Sequence, residues 1–345
     1  MRVMQVMAGA EFGGAEAFFV RLVIGLHKAG LDQRVIIREN PARAALLRAG
    51  GLDPIELKFG GRFDLTTPLM LKRQLRDFHP HAVLSWMNRA TSKMPRRCPG
   101  DLNYVLSARL GGYYNLKYYK NCDHLIGNTM DIGEYLKGEG WPTDRTHYLP
   151  NFVAADTAPP VPRKDLNLPE RAKFILTLGR LHENKAFDTL IRALVNVPDT
   201  YLGIAGEGPE RERLEKLAQE LGVRPRIRML GWRDDVPALL AACDAFVCPS
   251  RHEPLGNVVI EGWAQHCPVV AAASQGPVSL IKDGVDGVLT PIDDADAMAV
   301  AINSVLKDKT FADKLAKAGR KRYEKEFTED QVVKKYLQYF QEIAG

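Results

Sequence analysis

Several features that would narrow the function quickly are missing from this chain. No run approaches the roughly 18 consecutive apolar residues of a membrane-spanning helix, so none is expected. The N-terminus passes from Met1-Arg2 straight into Val3-Met-Gln-Val-Met7, which reads as a first strand, so a signal peptide is not expected. The five cysteines, at 98, 122, 243, 248 and 267, are odd in number and form no Cys-x-x-Cys pair. That argues against a disulfide framework or a structural zinc and for a reducing, cytoplasmic setting. Cys243, Cys248 and Cys267 lie in apolar runs and are expected in the core. No internal repeat with a period of roughly 20–50 residues is present. No Asp-x-Asp falls in a loop suited to a metal-bound diphosphate, so neither a metal nor another cofactor is expected. The Gly-x-Gly-x-x-Gly dinucleotide fingerprint is absent as well, because the first glycines stand at 9, 13 and 14. Glu39 after the second strand could mimic a ribose-binding acid, but alone it is weak support for a nicotinamide dehydrogenase.

What is present is the composition of an ordinary globular protein long enough for about two domains: 345 residues, 46% hydrophobic. The net charge of +5 is unevenly spread. Up to Pro150 there are 21 Lys and Arg against 14 Asp and Glu, and beyond it 26 against 28. A basic first half beside a near-neutral second half points to an anionic partner for the first half: a membrane surface, an acidic saccharide or nucleic acid. Residues 93–97 are basic, and Tyr113, Tyr114, Lys117, Tyr118, Tyr119 and Lys120 interleave aromatics with lysines. A solvated loop and helix explain these as well as a docking patch does. No RNA- or DNA-binding motif accompanies them, so nucleic acid is not expected as a partner.

Short apolar runs alternate with helical periodicity throughout. The first half gives strands at 2–7, 34–38, 82–86, 104–107 and 124–127, with helices at 15–29 and 69–78. The second gives strands at 174–178, 201–205, 226–230, 245–248 and 268–272, with helices at 187–195, 211–221 and 236–243. Such alternation implies an α/β fold of two parallel sheets, each with helices on both faces and a ligand site beyond the carboxyl ends of its strands. The stretch 154–163 has three prolines and little apolar content and reads as a linker. The tail, 328–343, is amphipathic, with Val332, Val333, Tyr336, Leu337 and Phe340 on one face.

The strand ends carry the chemistry. After the strand at 245–248 comes SRHEPLGNVVIEGWAQ (250–265), which turns through Pro254, Leu255 and Gly256 into a helical pattern. Glu253 falls on the loop and Glu261 about one turn into the helix. The amides of Gly256, Asn257 and Val258 sit at the helix N-terminus, an anion site by virtue of unpaired N–H groups and the helix dipole. Two carboxylates around an anion cradle suit a ligand with phosphate in the middle and hydroxyls at both ends. On spacing alone, two solvated glutamates beside a helix start would do equally well. After the strand at 174–178 comes GRLHENKAFD (179–188). Its Arg180 and Lys185, five residues apart around a turn, can both reach one diphosphate. Gly206 opens a Gly-Glu-Gly-Pro loop, Trp232 and Arg233 follow a later strand, and Gly13-Gly14-Ala-Glu16 ends the first strand loop.

Taken together these segments resemble the retaining glycosyltransferases of family 4. EPLGNVVIE resembles the E-x₇-E signature, and GRLHENKAFDTLI the family's G-R-x₄-K-G-x-D-x-L-I, with Ala186 in place of the usual glycine. GGAE resembles the N-terminal glycine loop, and LPNFV (149–153) the segment that ends the first domain. The resemblance implies the GT-B fold, with two Rossmann-like domains facing each other across a cleft and a last helix returning to the first. The domains would be residues 1–152 plus about 328–345, and 164–327, with 153–163 as linker. It implies a retaining transferase moving a hexose-type sugar from a nucleoside-diphosphate sugar to a saccharide or lipid-linked acceptor, as in bacterial cell-surface polysaccharide or lipopolysaccharide assembly. The enzyme would be cytoplasmic, with peripheral contact to the inner, anionic face of the membrane.

By the same resemblance, Glu253, Arg180 and Lys185 would be catalytic. The donor would lie on Gly14, Arg180, Lys185, Gly206, Glu253, Leu255, Gly256, Asn257, Val258 and Glu261, with its base near Trp232 or Arg233. The acceptor would lie near Gly13, Glu16 and Arg109, where Arg109 stands about where many members have a sugar-contacting histidine. Charge on the diphosphate would be met by side chains and amides, without a metal. Two alternatives remain open: a sugar-nucleotide epimerase or hydrolase of the same shape, and a nucleotide-sugar-binding protein that has lost catalysis.

Overall fold

The structure, a computed structural model, describes residues 1–11, 13–61, 63–95, 103–153 and 157–345. Arg96 and Arg97 of the basic stretch, Cys98, and 154–156 at the start of the linker lie outside the described residues. The chain divides into two compact units. One comprises Met1–Phe152 with Glu329–Gly345, the other Val153–Thr328.

The first unit is built on seven strands: β1 (Arg2–Met7), β2 (Asp32–Arg38), β3 (Ile55–Leu57), β4 (Ala82–Trp86), β5 (Val105–Leu110), β6 (His124–Gly127) and β7 (Thr146–Tyr148). They form one sheet in the order β3-β2-β1-β4-β5-β6-β7, every pair parallel. Residues along β1 alternate between the faces: Val3 and Met7 join one apolar cluster, Met4 and Val6 the other. This is the period of two that a strand imposes, with both faces covered as a parallel sheet requires. The helix Gly14–Lys28 buries Phe18, Phe19, Leu22, Val23 and Leu26 on one face. The last helix, Glu329–Ala344, packs Val332, Val333, Tyr336, Tyr339 and Phe340 into the same cluster, so the unit is discontinuous in sequence.

The second unit repeats the plan with β8 (Lys173–Leu178), β9 (Thr200–Ala205), β10 (Ile227–Gly231), β11 (Ala245–Cys248), β12 (Val269–Ala272) and β13 (Val288–Thr290). The order is β10-β9-β8-β11-β12-β13, again all parallel. Ala245 and Val247 face one cluster, Phe246 and Cys248 the other. Val153 and Leu166 belong to that second cluster, and the Val161 N–H donates to the Ala238 carbonyl at 3.2 Å. The stretch leading into this unit is therefore bound to it at Val153 and Val161. Two Rossmann-like parallel sheets of this kind make up the α/β GT-B fold.

The expected strands fall within a residue or two of those observed, except that β5 runs on to Leu110. Three strands were not expected: β3, β7 and β13, each of three residues at or near a sheet edge. A strand that short offers too few positions for a period to register. Cys122, Cys243, Cys248 and Cys267 are free thiols, and Cys122, Cys248 and Cys267 are buried. Cys243 and Cys267 approach to 3.2 Å between sulfurs without a disulfide.

Candidate functional site

In the second unit the carboxyl ends of β8 to β12 carry five loops that are stitched together by backbone bonds. Gly179 N–H donates to Ala205 O at 3.0 Å, Leu181 N–H to Glu207 O at 2.9 Å and Gly206 N–H to Gly231 O at 2.7 Å. His252 N–H donates to Asn184 O at 3.2 Å and Gly276 N–H to Glu253 O at 2.7 Å. Close approach explains the glycines. A Cβ on Gly206 would lie 1.9 Å from Gly179 O, and one on Gly276 would lie 2.6 Å from Glu253 O.

Within this frame the helix Asn257–Ala264 begins at Gly256, whose left-handed φ of 67° reverses the chain at the cap. Val259, Ile260 and Trp263 anchor the helix in the core. Its first turn carries no acidic residue of its own. Glu253, on the incoming loop, is 8% exposed and its Oε2 accepts from the Lys185 ammonium. Lys185 closes a short turn at Glu183–Lys185 whose N-cap is His182. The spacing of 68 residues between these two partners is spanned only because β8 and β11 are neighbours in the sheet. Arg180 is exposed and makes no ion pair among the described residues. Leu255, Asn257, Val258 and Glu261 are partly exposed, and Glu261 follows Asn257 by four positions on the same helical face.

A second set of charges fixes the loops, and sequence reasoning missed it. Arg251 donates to both oxygens of Asp188 at 3.0 Å, to Asp293 at 2.9 Å and to Glu183 O at 2.8 Å. Thr189 Oγ1 donates to Asp293 at 3.0 Å. Burial alone would raise the Asp188 pKa; the Arg251 bonds and charge, helped by Arg213, outweigh it and hold the carboxyl below its usual range. The same Asp188 bonds lock the Arg251 guanidinium in its charged form. Both residues sit inside motifs that were recognised, but a charged side chain in a loop does not announce its partner.

Trp232 is 82% exposed, a bare indole at the end of β10. Arg233 is already engaged by Asp235, at 2.7 and 2.5 Å, a pairing that raises its pKa. Of the two residues expected near a base, only Trp232 presents an unoccupied face.

In the first unit the glycine loop is organised by Glu16. Its Oε1 accepts from Ala10 N–H at 2.7 Å, and a Cβ on Gly9 or Gly13 would lie within 2.4 Å of its carboxylate oxygens. Glu16 is 8% exposed, so it shapes the loop from inside. Gly14 has open space where a side chain would stand. The expectation that Arg109 contacts an acceptor needs correction. Arg109 is 2% exposed, with its guanidinium 4.7 Å from the ring centres of both Phe18 and Trp86. It donates to Tyr336 Oη at 2.8 Å and to Asn151 Oδ1. β5 extends far enough to carry this side chain into the core, where it holds the last helix.

Among the described residues, no group of three or more His, Cys, Asp or Glu is arranged to hold a metal ion. No helix there is long and apolar enough to cross a membrane. The second-unit site can bind a doubly charged phosphate group with Arg180, Lys185 and helix amides, and hydroxyls with carboxylates.

Residues 161–322 match the family described as glycosyl transferases group 1. The chain is 37% identical to the lipopolysaccharide core biosynthesis glycosyltransferase LpsE of Rhizobium meliloti (strain 1021), over 94% of this chain and 95% of that one. It is also 37% identical to LpsD of the same organism, which bears the same description, over 99% and 98%. The crystal structure of Anabaena Alr3699/HepE in complex with UDP superposes with a TM-score of 0.86 at 19% identity, covering 99% of this chain and 100% of that one. That likeness speaks to the fold. On this similarity and the shared architecture, the chain belongs to the group 1 glycosyltransferases.

Proposed function

We propose that the chain is a retaining glycosyltransferase that moves a hexose from a nucleoside-diphosphate sugar to a saccharide or lipid-linked acceptor in lipopolysaccharide core assembly. The observation that carries this reading is the Lys185–Glu253 pair beside the N-terminus of the helix Asn257–Ala264. It puts a cation, a hydroxyl-binding carboxylate and an anion-binding helix end within one rigid set of loops. The names of the two Rhizobium relatives support the acceptor class, and the UDP in the Anabaena structure supports a nucleotide donor.

In this reading Glu261 binds the ribose hydroxyls and Glu253 the sugar hydroxyls. Arg180, Lys185 and the amides of Gly256, Asn257 and Val258 hold the diphosphate, with Gly206 leaving room for it. The bond between the sugar C1 and the diphosphate oxygen breaks, and a bond from C1 to the acceptor oxygen forms on the same face. The proton of the acceptor hydroxyl goes to the departing diphosphate oxygen, whose growing charge Arg180, Lys185 and the helix end stabilise. Trp232 stacks on the base. No metal is required. The first unit takes the acceptor and meets the anionic inner face of the membrane. Its excess of basic residues and the exposed Phe63 (93%), Leu65 (74%) and Leu69 (68%) favour that contact.

The test is transfer from UDP-, GDP- and ADP-hexoses to a lipopolysaccharide core acceptor, with the product anomer read by NMR. Transfer with the donor's anomeric configuration preserved is the expected result. Inversion refutes the same-face mechanism, and epimerisation of the donor without acceptor identifies a different enzyme of this fold.

A further inference from the structure

A second charged cavity lies wholly in the first unit, at the carboxyl ends of β1 to β3. It has a volume of about 590 Å³ and is lined by Gly9, Ala10, Arg38, Asn40, Arg43 and Lys58, among others. Three of these are cations. Arg43 is 5% exposed; one terminal nitrogen donates to Ala10 O at 2.5 Å and Glu11 O at 3.3 Å, while its Nη1 is buried with no hydrogen-bond partner among the described residues. A buried guanidinium nitrogen without an acceptor loses its hydration and gets nothing in return. Burial and the nearby charge of Arg38 weaken the hold of Arg43 on its proton, and Glu16 only partly counters them. Arg38 and Lys58 form no ion pair among the described residues. The cavity also meets the N-terminus of the helix Pro41–Ala49, which has no acid in its first turn. Two exposed carboxylates, Glu11 and Glu39, line it as well, so its cations exceed its anions by one.

We propose that this cavity is an acceptor subsite for an anionic sugar residue, one bearing a phosphate monoester or a carboxylate. The volume lies within the range of small-molecule sites. An oxyanion there completes the open valence of Arg43, is flanked by Arg38 and Lys58, and faces the positive end of the helix. The hydroxyls of the same sugar meet Asn40, Glu11 and Glu39. The assignment rests on the transferase reading above and names the chemistry of its acceptor.

The test is titration calorimetry on the full chain with glucose 6-phosphate, glucuronate and glucose, each with and without saturating UDP. At least one anionic sugar should bind about tenfold or more tightly than glucose, the loss expected for a charge-assisted hydrogen bond. Which one does so distinguishes phosphate from carboxylate. UDP should not displace it. The double substitution Arg38→Ala and Lys58→Ala removes one partly exposed and one exposed side chain. It should weaken the anionic sugar by about tenfold or more while leaving the melting temperature and UDP binding unchanged. Equal binding of glucose, displacement by UDP, no anionic binding, or no effect of the double variant each overturns the proposal. Failure of the chain to bind UDP, GDP or ADP counts against the donor site in the second unit and leaves this result standing.

Discussion

The two units present their strand-end loops in different electrostatic states. In the second, most of these loop cations are already joined to a carboxylate, Arg180 being the exception among the described residues. Lys185 holds Glu253, Arg251 holds Asp188 and Asp293, and Arg233 holds Asp235. In the first, the glycine loop is closed on its own Glu16, while among the described residues Arg38, Lys58 and the Nη1 of Arg43 have no acidic partner. Preorganised pairs suit a reaction whose charge changes in place, because the groups need not move when the charge develops. Unpaired cations suit a ligand that brings its own charge. On the proposed reading, the difference is between a site set for chemistry and one set for recognition.

The largest effect is expected at the joined pair. Lys185→Ala or Glu253→Ala should lower transfer by about 10²–10³-fold, the scale of losing one preorganised electrostatic group. Circular dichroism should show an intact fold for both. Near-normal rates in both variants would remove the second unit from the chemistry. A smaller effect is expected at Arg251, which touches loops and, in this reading, no substrate. Arg251→Met severs five bonds between the loops after β8 and β11 and the residues near Asp293. Each hydrogen bond to a charged group is worth about 1.5–3 kcal/mol in favourable settings, less here because the side chains are partly exposed. A drop in melting temperature of a few degrees and a roughly tenfold loss of transfer should appear together. Loss of transfer with unchanged stability would make Arg251 a substrate contact.

How far the sequence alone reached follows the same division. Both sheets were legible because their long strands alternate or run continuously apolar, as β1, β4, β8 and β11 do. The helix Ala295–Lys307 was not, although it buries Met298, Ile302 and Val305, because alanine at every second position from 295 to 301 blurs its periodicity. In the second unit, Lys185 and Glu253 were legible because motif spacing places them at neighbouring strand ends. The role of Arg109 was not. Its position suggested a surface contact, and only β5's length and the packing of Phe18, Trp86 and Tyr336 around it reveal a core residue. Burial of a charge depends on partners from distant segments, here Asn151 and a helix more than two hundred residues away.

The pH response sharpens the comparison for the first unit. His124 and His147 share a bond of 2.9 Å and pack against Tyr339 of the last helix. Burial, with the neighbouring His124, lowers the His147 pKa from 6.5 to about 4, and burial lowers that of His124 as well. A pKa depressed in the folded state gives stability that is full above the unfolded value and lost as pH falls through the folded one. Melting of the first unit should therefore become easier from pH 6.5 down to about 4. His147→Gln should flatten that slope. A slope unchanged by the substitution would assign the acid sensitivity elsewhere.

The smallest effect tests the one place where the second unit departs from the motif it otherwise follows. Ala186 adopts a left-handed φ of 50° at the start of the helix Phe187–Ala193, where a glycine is usual. An L-residue in that conformation is disfavoured by about 1–2 kcal/mol, which glycine avoids. Ala186 is also 0% exposed, so removing its methyl forfeits about 0.8 kcal/mol of burial. Glycine gives back about 0.4–1 kcal/mol through its freer unfolded chain. Ala186→Gly should therefore change the stability of the second unit by less than about 1 kcal/mol in either direction, visible as a melting shift of a few degrees at most. Because Lys185 precedes it directly, extra freedom at this residue would also loosen the turn that aims the ammonium at Glu253. If the variant melts higher yet transfers more slowly, the alanine is holding the joined pair in place at the expense of backbone strain. If it melts lower by more than 1 kcal/mol, the methyl packs better than its conformation costs.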